Sequence, residues 1–448
     1  MILYSHVKQQ YDFQPNRQTG EGIVSGVDWN NRDMKVSVTP GEKVILDLIR
    51  AHGEATRGDL VASLDLSRSK INGCVDALLK KNIICTSRSN EYTGGRRSKI
   101  LALNGGFGLV AGIEVGATSI DVQLADLYGR TYARCCEPAN VHDGPRLILG
   151  RICDILEQLV LDHQLEGERI FGIGIGVPGP VDFARGTVVS PPIMPGWDDY
   201  PIVQAVNEHF PFANVVVDND VNVMALGEMT KGAGRGVDNL IFIKIGTGIG
   251  AGIIVNGQIY RGSSGCAGDV GHICVDKNGP MCHCGNIGCL EAMSAGPAIA
   301  ERGTRAALDG RSPILARYYQ ITDGCLRAEE VGAAAREGDP VAIEIIRDSG
   351  RMIGDMLATL VNFFNPDMIV IGGGVSNIGD LLLASIRQTV LNRSLPLSTR
   401  NLAVLFSAIG EDTGVTGAMT LAIDQAFSIE RNSDSVRFEY EAKHAIWS

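Results

Sequence analysis

His272, followed ten positions later by Cys282-His283-Cys284-Gly285-Asn286-Ile287-Gly288-Cys289-Leu290-Glu291, is the stretch on which the reading of this chain turns. His272 and the thiols of Cys282, Cys284 and Cys289 fall within eighteen positions, at short, uneven spacing with glycines between them. Three thiolates and one imidazole complete a tetrahedral Zn²⁺ shell. Gly285 and Gly288 let so short a loop fold until Cys282, Cys284 and Cys289 converge with His272 on one ion. The competing reading is that the cysteines are buried thiols packing as small hydrophobes. Four ligands of the right type in so short a span favour the metal. His283, between two of the thiols, offers a second imidazole in competition with His272. Flanked by two ligating neighbours, it is expected to point outward.

The residues around the loop extend the pattern. His272 closes Ala267-Gly268-Asp269-Val270-Gly271-His272, and Glu291 follows Cys289 by two. Together these resemble the zinc and sugar-site signature of the ROK family (repressors, open reading frames, sugar kinases), and the resemblance runs from Leu109 to about Ala426. It implies a two-lobed α/β fold of the actin-like, sugar-kinase ATPase type. It also implies a structural zinc that braces a sugar-facing loop, with Asp269, His272 and Glu291 among the residues facing the sugar.

The body carries further matches. The buried strand Leu109–Val115 enters the small-residue turn Gly116-Ala117-Thr118, which resembles the family's first phosphate loop. The kinases carry Asp-x-Gly-Gly-Thr there; this chain has Glu114 for the aspartate and Ala117 for the second glycine. Strand 170–177 ends at Pro178-Gly179-Pro180, and a helix is expected over 155–165. The kinases follow with Ser-Pro-Asn-Leu ahead of a tryptophan. Here Ser190-Pro191-Pro192-Ile193 precedes Trp197, and the asparagine that reaches sugar hydroxyls is missing. Trp197 otherwise reads as core packing. Strand 214–218 delivers Asn219 and Asp220, which in the family hold the sugar and supply the base that takes a hydroxyl proton. The bland reading makes Asp220 the cap of a helix over 221–228. A strand then feeds Gly246-Thr247-Gly248-Ile249-Gly250, whose backbone N–H groups can wrap phosphate. Gly373 and Gly374, after strand 368–371, resemble the adenosine loop, and a last helix is expected over 414–426. Asp269 stands where the kinases have a glutamate, one methylene longer.

Composition sets the frame. A chain of 448 residues is too long for one core, so two or three domains are expected. No apolar run is long enough for a bilayer and no secretory leader opens the chain, which predicts a cytoplasmic protein with no membrane partner. Eleven cysteines are then expected as reduced thiols rather than disulfides. The net charge of −11 excludes a whole surface made for nucleic acid. It hides a contrast, however. Residues 39–104 hold eleven Lys/Arg against seven Asp/Glu, a surplus of four, so the rest carries −15. A basic module on an acidic body is the asymmetry of a DNA-binding head on a sensor.

Within that module Thr39-Pro40-Gly41-Glu42 reads as a capped helix start, with Val44, Ile45, Leu48 and Ile49 as its apolar stripe. Thr56 caps a second helix over 57–64, and Ser67 a third running to about Lys81. Ile71, Val75, Leu78 and Leu79 face inward on the third helix; Arg68, Ser69, Lys70, Asn72 and Gly73 fall largely on the other face. This is a helix-turn-helix layout, whose second helix reads the major groove from its N-terminal end. Ser67 suits a phosphate, Arg68 and Lys70 guanine edges or phosphates, and Asn72 adenine. Strands 83–85 and 98–103 flank a basic turn, the wing, where Arg96 and Arg97 are minor-groove or phosphate candidates. The competing reading is a small helical bundle used for dimerisation.

The expected organisation is a flexible tail over 1–37 and a winged helix-turn-helix over 38–104. A ROK body follows over 105–427, with lobe 1 at about 105–218 plus the last helix and lobe 2 at about 219–413. A tail over 428–448 closes the chain. Two functions compete. One is a sugar-responsive repressor, a homodimer or dimer of dimers on an inverted repeat of double-stranded DNA, released or recruited by a sugar or sugar phosphate. The other is an ATP-dependent sugar kinase needing Mg²⁺, with Asp220 as base and Gly116, Thr118, Gly246, Thr247, Gly248, Gly250, Gly373 and Gly374 around the nucleotide. The departures at Glu114, Ala117, Ile193 and Asp269 favour the repressor.

Overall fold

The computed structural model describes residues 36–88, 99–165, 169–191 and 193–429. Arg96, Arg97 and nearly all of both expected tails lie outside them.

The first part runs β1 (Ser37–Val38), α1 (Pro40–His52), β2 (Ala55–Thr56), α2 (Arg57–Ser63), α3 (Arg68–Lys80), β3 (Ile84–Arg88) and β4 (Lys99–Leu103). Its helix starts are set by local chemistry. The Thr39 hydroxyl accepts from the Glu42 amide at 3.3 Å while the Glu42 carboxylate accepts from the Thr39 amide at 2.8 Å. Thr56 and Asp59 repeat the device on α2, and the Ser67 hydroxyl caps α3 through the Lys70 amide at 3.3 Å. β4 pairs antiparallel with β3 on one side and with β2 on the other.

The body is two sheets of the same design. The first uses β5 (Leu109–Val115), β6 (Ser119–Ala125), β7 (Thr131–Pro138), then α4 (Pro145–Asp162), β8 (Ile170–Val177), the ribbon of β9 (Val181–Asp182) and β10 (Thr187–Val188), α5 (Ile202–His209) and β11 (Asn214–Asn219). Its strand order is β11-β8-β5-β6-β7. After α6 (Asp220–Lys231), the second uses β12 (Leu240–Ile245), β13 (Ile249–Val255) and β14 (Gln258–Ile259). Helices α7 (Leu290–Ser294), α8 (Gly296–Leu308), α9 (Pro313–Ile321), α10 (Ala328–Arg336) and α11 (Pro340–Phe364) lead to β15 (Met368–Gly372). Then come α12 (Asp380–Arg393), α13 (Pro396–Thr399), β16 (Ala403–Phe406), α14 (Thr413–Gln425) and β17 (Ser428–Ile429). Its order is β14-β13-β12-β15-β16. In each sheet a three-strand antiparallel meander is extended by two parallel strands on the far side of its first strand. This duplicated topology is the two-lobed actin-like architecture.

The lobes meet through α14 and α6. α14 lies on the first sheet, where small residues bring backbones together: a Cβ on Gly174 would stand 2.2 Å from the Ala418 carbonyl. Its other side meets α6 as closely; a Cβ on Gly417 would stand 1.7 Å from the Val223 carbonyl. α6 in turn presses on β13, where a Cβ on Gly252 would lie 2.6 Å from the Val221 carbonyl. The core of the N-terminal module is continuous with lobe 1 and α14 through Val110, Phe171, Met419 and Phe427. Phe107 stacks on Phe171 with ring centroids 4.5 Å apart. Arg50 of α1 pairs with Asp424 of α14 at 2.6 Å, and the Tyr128 hydroxyl donates to the Leu103 carbonyl at 3.2 Å.

Two expectations are corrected. The helix expected over 155–165 is α4, which begins at Pro145 and ends at Asp162. Pro145 supplies a first-turn residue with no N–H to satisfy, and Ile148, Leu149 and Ile152 extend the buried stripe backward. The helix after β11 begins at Asp220, so its cap is Asn219, whose side-chain oxygen accepts from the Val221 and Asn222 amides. Among the described residues no helix is long and apolar enough to cross a membrane.

Candidate functional site

The loop around His272 brings its ligands together. The Nδ1 of His272 lies 3.6 Å from the Cys282 sulfur, and the Cys284 and Cys289 sulfurs lie 3.7 Å apart. All four ligand atoms fall within 4.8 Å of one another. A tetrahedron with metal–sulfur bonds of 2.3 Å has edges of about 3.8 Å. Gly285 and Gly288 both hold positive φ, and a Cβ on Gly288 would collide with the Asp276 carbonyl. His283 is exposed and outside the cluster. Burial, with help from the neighbouring thiols, pushes Cys289 up to about 12. Burial also raises Cys282, while a hydrogen bond from the Asn286 backbone lowers Cys284. Thiols crowded in this way resist ionising together unless a cation sits among them.

Glu291, in the first turn of α7, links this cluster to the glycine turn. One carboxylate oxygen accepts from the Ile249 amide at 3.0 Å, and the other lies 3.9 Å from the Cys282 sulfur. Asp269 is exposed, with its carboxylate 3.8 Å from the His272 Nε2. The turn Gly246-Thr247-Gly248 closes with the Gly246 amide donating to the Gly248 carbonyl at 2.9 Å, and leaves Thr247 exposed. Gly373, at φ +87°, packs against the Ile245 carbonyl, so β15 delivers Gly373 and the exposed Gly374 beside that turn. Gly250 lies within β13 instead, pressed against Val221 of α6. In lobe 1 the Gly116 amide donates to the Ser119 carbonyl at 2.8 Å, closing the equivalent hairpin with Thr118 exposed at its tip.

The centre of the cleft is more charged than sequence alone suggested. Asp220 is buried, and each of its carboxylate oxygens already accepts a hydrogen bond. One accepts from the Val221 amide at 2.8 Å; the other accepts from the Lys244 ammonium of β12. Asn219 is spanned between the helix it caps and the Gly179 carbonyl, to which its Nδ2 donates at 2.8 Å. Glu114, at the end of β5, packs onto the first turn of α14: a Cβ on Gly414 would lie 2.0 Å from its carboxyl carbon. Burial pushes Glu114 up to about 7, against the pull of Lys244 and with the push of Asp220 and Asp121. Lys244 is raised despite its burial, because Asp220 and Glu114 hold its charge. Next door, Asp218 accepts from the Arg261 guanidinium at 2.7 Å and from the Asn222 amide at 2.9 Å.

Lys244, Asp218, Asn222 and Arg261 escaped the sequence reading. A lysine in the strand Leu240-Ile241-Phe242-Ile243-Lys244-Ile245 was the available signal, since lysine is rarely buried unless paired. Ile193 packs against the lobe 1 core, and Trp197 is fully buried with its Nε1 donating to the Val141 carbonyl at 3.1 Å.

In the N-terminal module, Ser67, Arg68, Ser69 and Lys70 stand exposed on the first turn of α3. Asn72 is half-buried, and its side-chain oxygen accepts from the Arg57 guanidinium at 2.8 Å. Arg57 also pairs with Asp76 of α3.

Known proteins match this architecture. Residues 110–425 match the ROK family. A glucokinase of Halalkalibacterium halodurans is 36% identical over 72% of this chain and 98% of its own. A xylose repressor of Caldicellulosiruptor bescii is 29% identical over 86% of this chain and 96% of its own. The crystal structure of a ROK family transcriptional regulator, described as a homologue of the E. coli MLC protein, superposes with a TM-score of 0.75 at 25% identity, covering 90% of this chain and all of that one.

Proposed function

This chain belongs to the ROK family, and on that premise we propose that it is a sugar-responsive transcriptional repressor. Residues 38–104 act as a winged helix-turn-helix on double-stranded DNA, and the cleft of the body takes a sugar or sugar phosphate. Several features support this. The repressor and the regulator match a larger share of the chain than the glucokinase does. The charge surplus of the front module and the exposed first turn of α3 suit phosphates and base edges. Arg96 and Arg97 belong to the same reading, as the wing.

The observation that carries the proposal is the course of α14. Its first turn lies against Glu114 in the cleft, and its last turn holds α1 through the Asp424–Arg50 pair. A ligand that favours one arrangement of the cleft therefore acts on the element that seats the DNA head. Two heads on a homodimer, or on a dimer of dimers, would meet an inverted repeat, and a change of head spacing alters the fit.

The His272, Cys282, Cys284 and Cys289 set fits Zn²⁺, which would supply a structural cross-link rather than catalysis. Through Glu291 that cross-link would steady the turn at Ile249 and the sugar side of the cleft, where Asn219, Asp220, Asp269 and His272 stand. A sugar kinase remains the second reading because of the identity to the glucokinase. The engaged carboxylate of Asp220 weighs against it.

The test is a mobility-shift assay of the full chain on its own promoter fragment, titrated with sugars and sugar phosphates. A repressor binds with affinity that falls steeply with salt, and one class of carbohydrate changes that affinity. Arg68→Ala with Lys70→Ala abolishes the shift. A chain that recognises no duplex above random sequence, or answers to no carbohydrate, is not this repressor.

A further inference from the structure

The two lobes place opposite charges at equivalent positions. Glu114 stands on β5 two residues before the hairpin glycine Gly116, and Lys244 stands on β12 two residues before Gly246. β5 and β12 are the first strands of the two duplicated sheets, so the positions correspond. Between them Asp220 opens α6, the helix wedged between the lobes. The Lys244 ammonium is bonded to Asp220, and its charge is felt at Glu114. The Lys244 side chain is 25% exposed against 7% for Asp220, so solvent meets the pair through the lysine.

Phosphoryl transfer from a nucleotide needs a divalent ion to bridge phosphates and a free carboxylate to accept the hydroxyl proton. This donor set suits neither. An ammonium already neutralises the carboxylate that would help hold the ion, and repels a second cation at short range. One oxygen of the would-be base faces that ammonium and the other its own helix amide.

We infer that Lys244 is the resident cation of this cleft: fixed on Asp220 across from Glu114, it supplies the charge a divalent ion would otherwise bring, and leaves a cleft that binds a carbohydrate without phosphorylating it. Lys244 is thus a specificity-determining residue. Its remaining N–H groups can donate to hydroxyl or anionic oxygens of a ligand. The inference rests on the repressor reading for the ligand class, and on geometry alone for the exclusion of metal.

The experiment measures Mn²⁺ uptake by water-proton relaxation, with and without a non-hydrolysable ATP analogue, on zinc-loaded full-length protein. Wild type and Lys244→Met are compared, with cooperative melting and zinc content as the controls for folding. Wild type is expected to take up no Mn²⁺ beyond the background of Asp220→Asn. Lys244→Met is expected to bind one ion per chain at least tenfold more tightly. Equal uptake by wild type and a folded Lys244→Met overturns the inference. Where Lys244→Met does not melt cooperatively, Lys244→Gln takes its place with the same expectation. Transfer of labelled phosphate from ATP to any hexose by wild type also overturns it, whatever the variants do. A wild type that excludes Mn²⁺ but answers to no sugar on its promoter fails the repressor reading and the ligand class with it, and leaves the exclusion of metal by Lys244 standing; one that loads Mn²⁺ fails that exclusion alone.

Discussion

Glu114 stands near the end of a strand, yet its carboxyl packs against the first turn of α14. Its carboxyl is held at about 7, mainly by burial, so it keeps a proton that the unfolded chain, at 4.5, has released. Between those values the folded state binds more protons than the unfolded one, so stability falls as pH rises from about 4.5 through 7. Lys244, Asp220, Asp121 and Arg134 share its surroundings and remain in Glu114→Gln. That variant is expected to flatten the dependence between pH 5 and 8 and to melt higher than wild type at pH 8, read by thermal melts across pH. Trp197 makes the opposite case. It is fully buried and its one donor is satisfied, so Trp197→Ala should cost about 3–5 kcal/mol in denaturant titration. The Cys/His cluster was legible because its four residues are close in sequence. Lys244 was not, because its partner Asp220 lies on another element and only the folded sheet brings the two together.

At the scale of elements, the helix starts at Thr39, Thr56 and Ser67 were readable because each side chain caps its own backbone, whereas the cap of α6 is Asn219, one residue before the expected Asp220. α4 was misread because its first turn carries no cap side chain, only Gly144 and Pro145. α14 sets two expectations. Gly417→Val would drive side-chain atoms into the Val223 backbone of α6, where neither helix can retreat. It should cost about 3 kcal/mol or more, or abolish cooperative melting. Asp424→Asn removes one charge from the joint with Arg50. Both side chains are partly exposed, so melting should change little. The change in promoter affinity on adding sugar should shrink severalfold, measured by fluorescence anisotropy; an unaltered response would remove α14 from the signal path.

For the whole molecule, the two sheets, their shared topology and the helices between them make one framework with a metal-type loop at one end of the cleft and a basic head on lobe 1. Chelation should release one zinc per chain, detected with a colorimetric dye. The melting point should then fall, because a cation bound only by the folded loop stabilises the folded state. On DNA, Lys70→Ala should lower the slope of log affinity against log salt by about one, as expected for one lost phosphate contact.

The motifs that resemble the ROK family implied the lobed body, while composition, spacing and capping chemistry determined the basic front, its helix starts and the four Cys and His side chains that converge, since each rests on residues near one another along the chain. Only the tertiary structure decided how the cleft is charged and how it reaches the head. Lys244 meets Asp220, Glu114 meets Gly414, and Arg50 meets Asp424 across separations at which a linear pattern carries no information about contact. Burial then decides what those charges do, and burial is a property of the packed molecule.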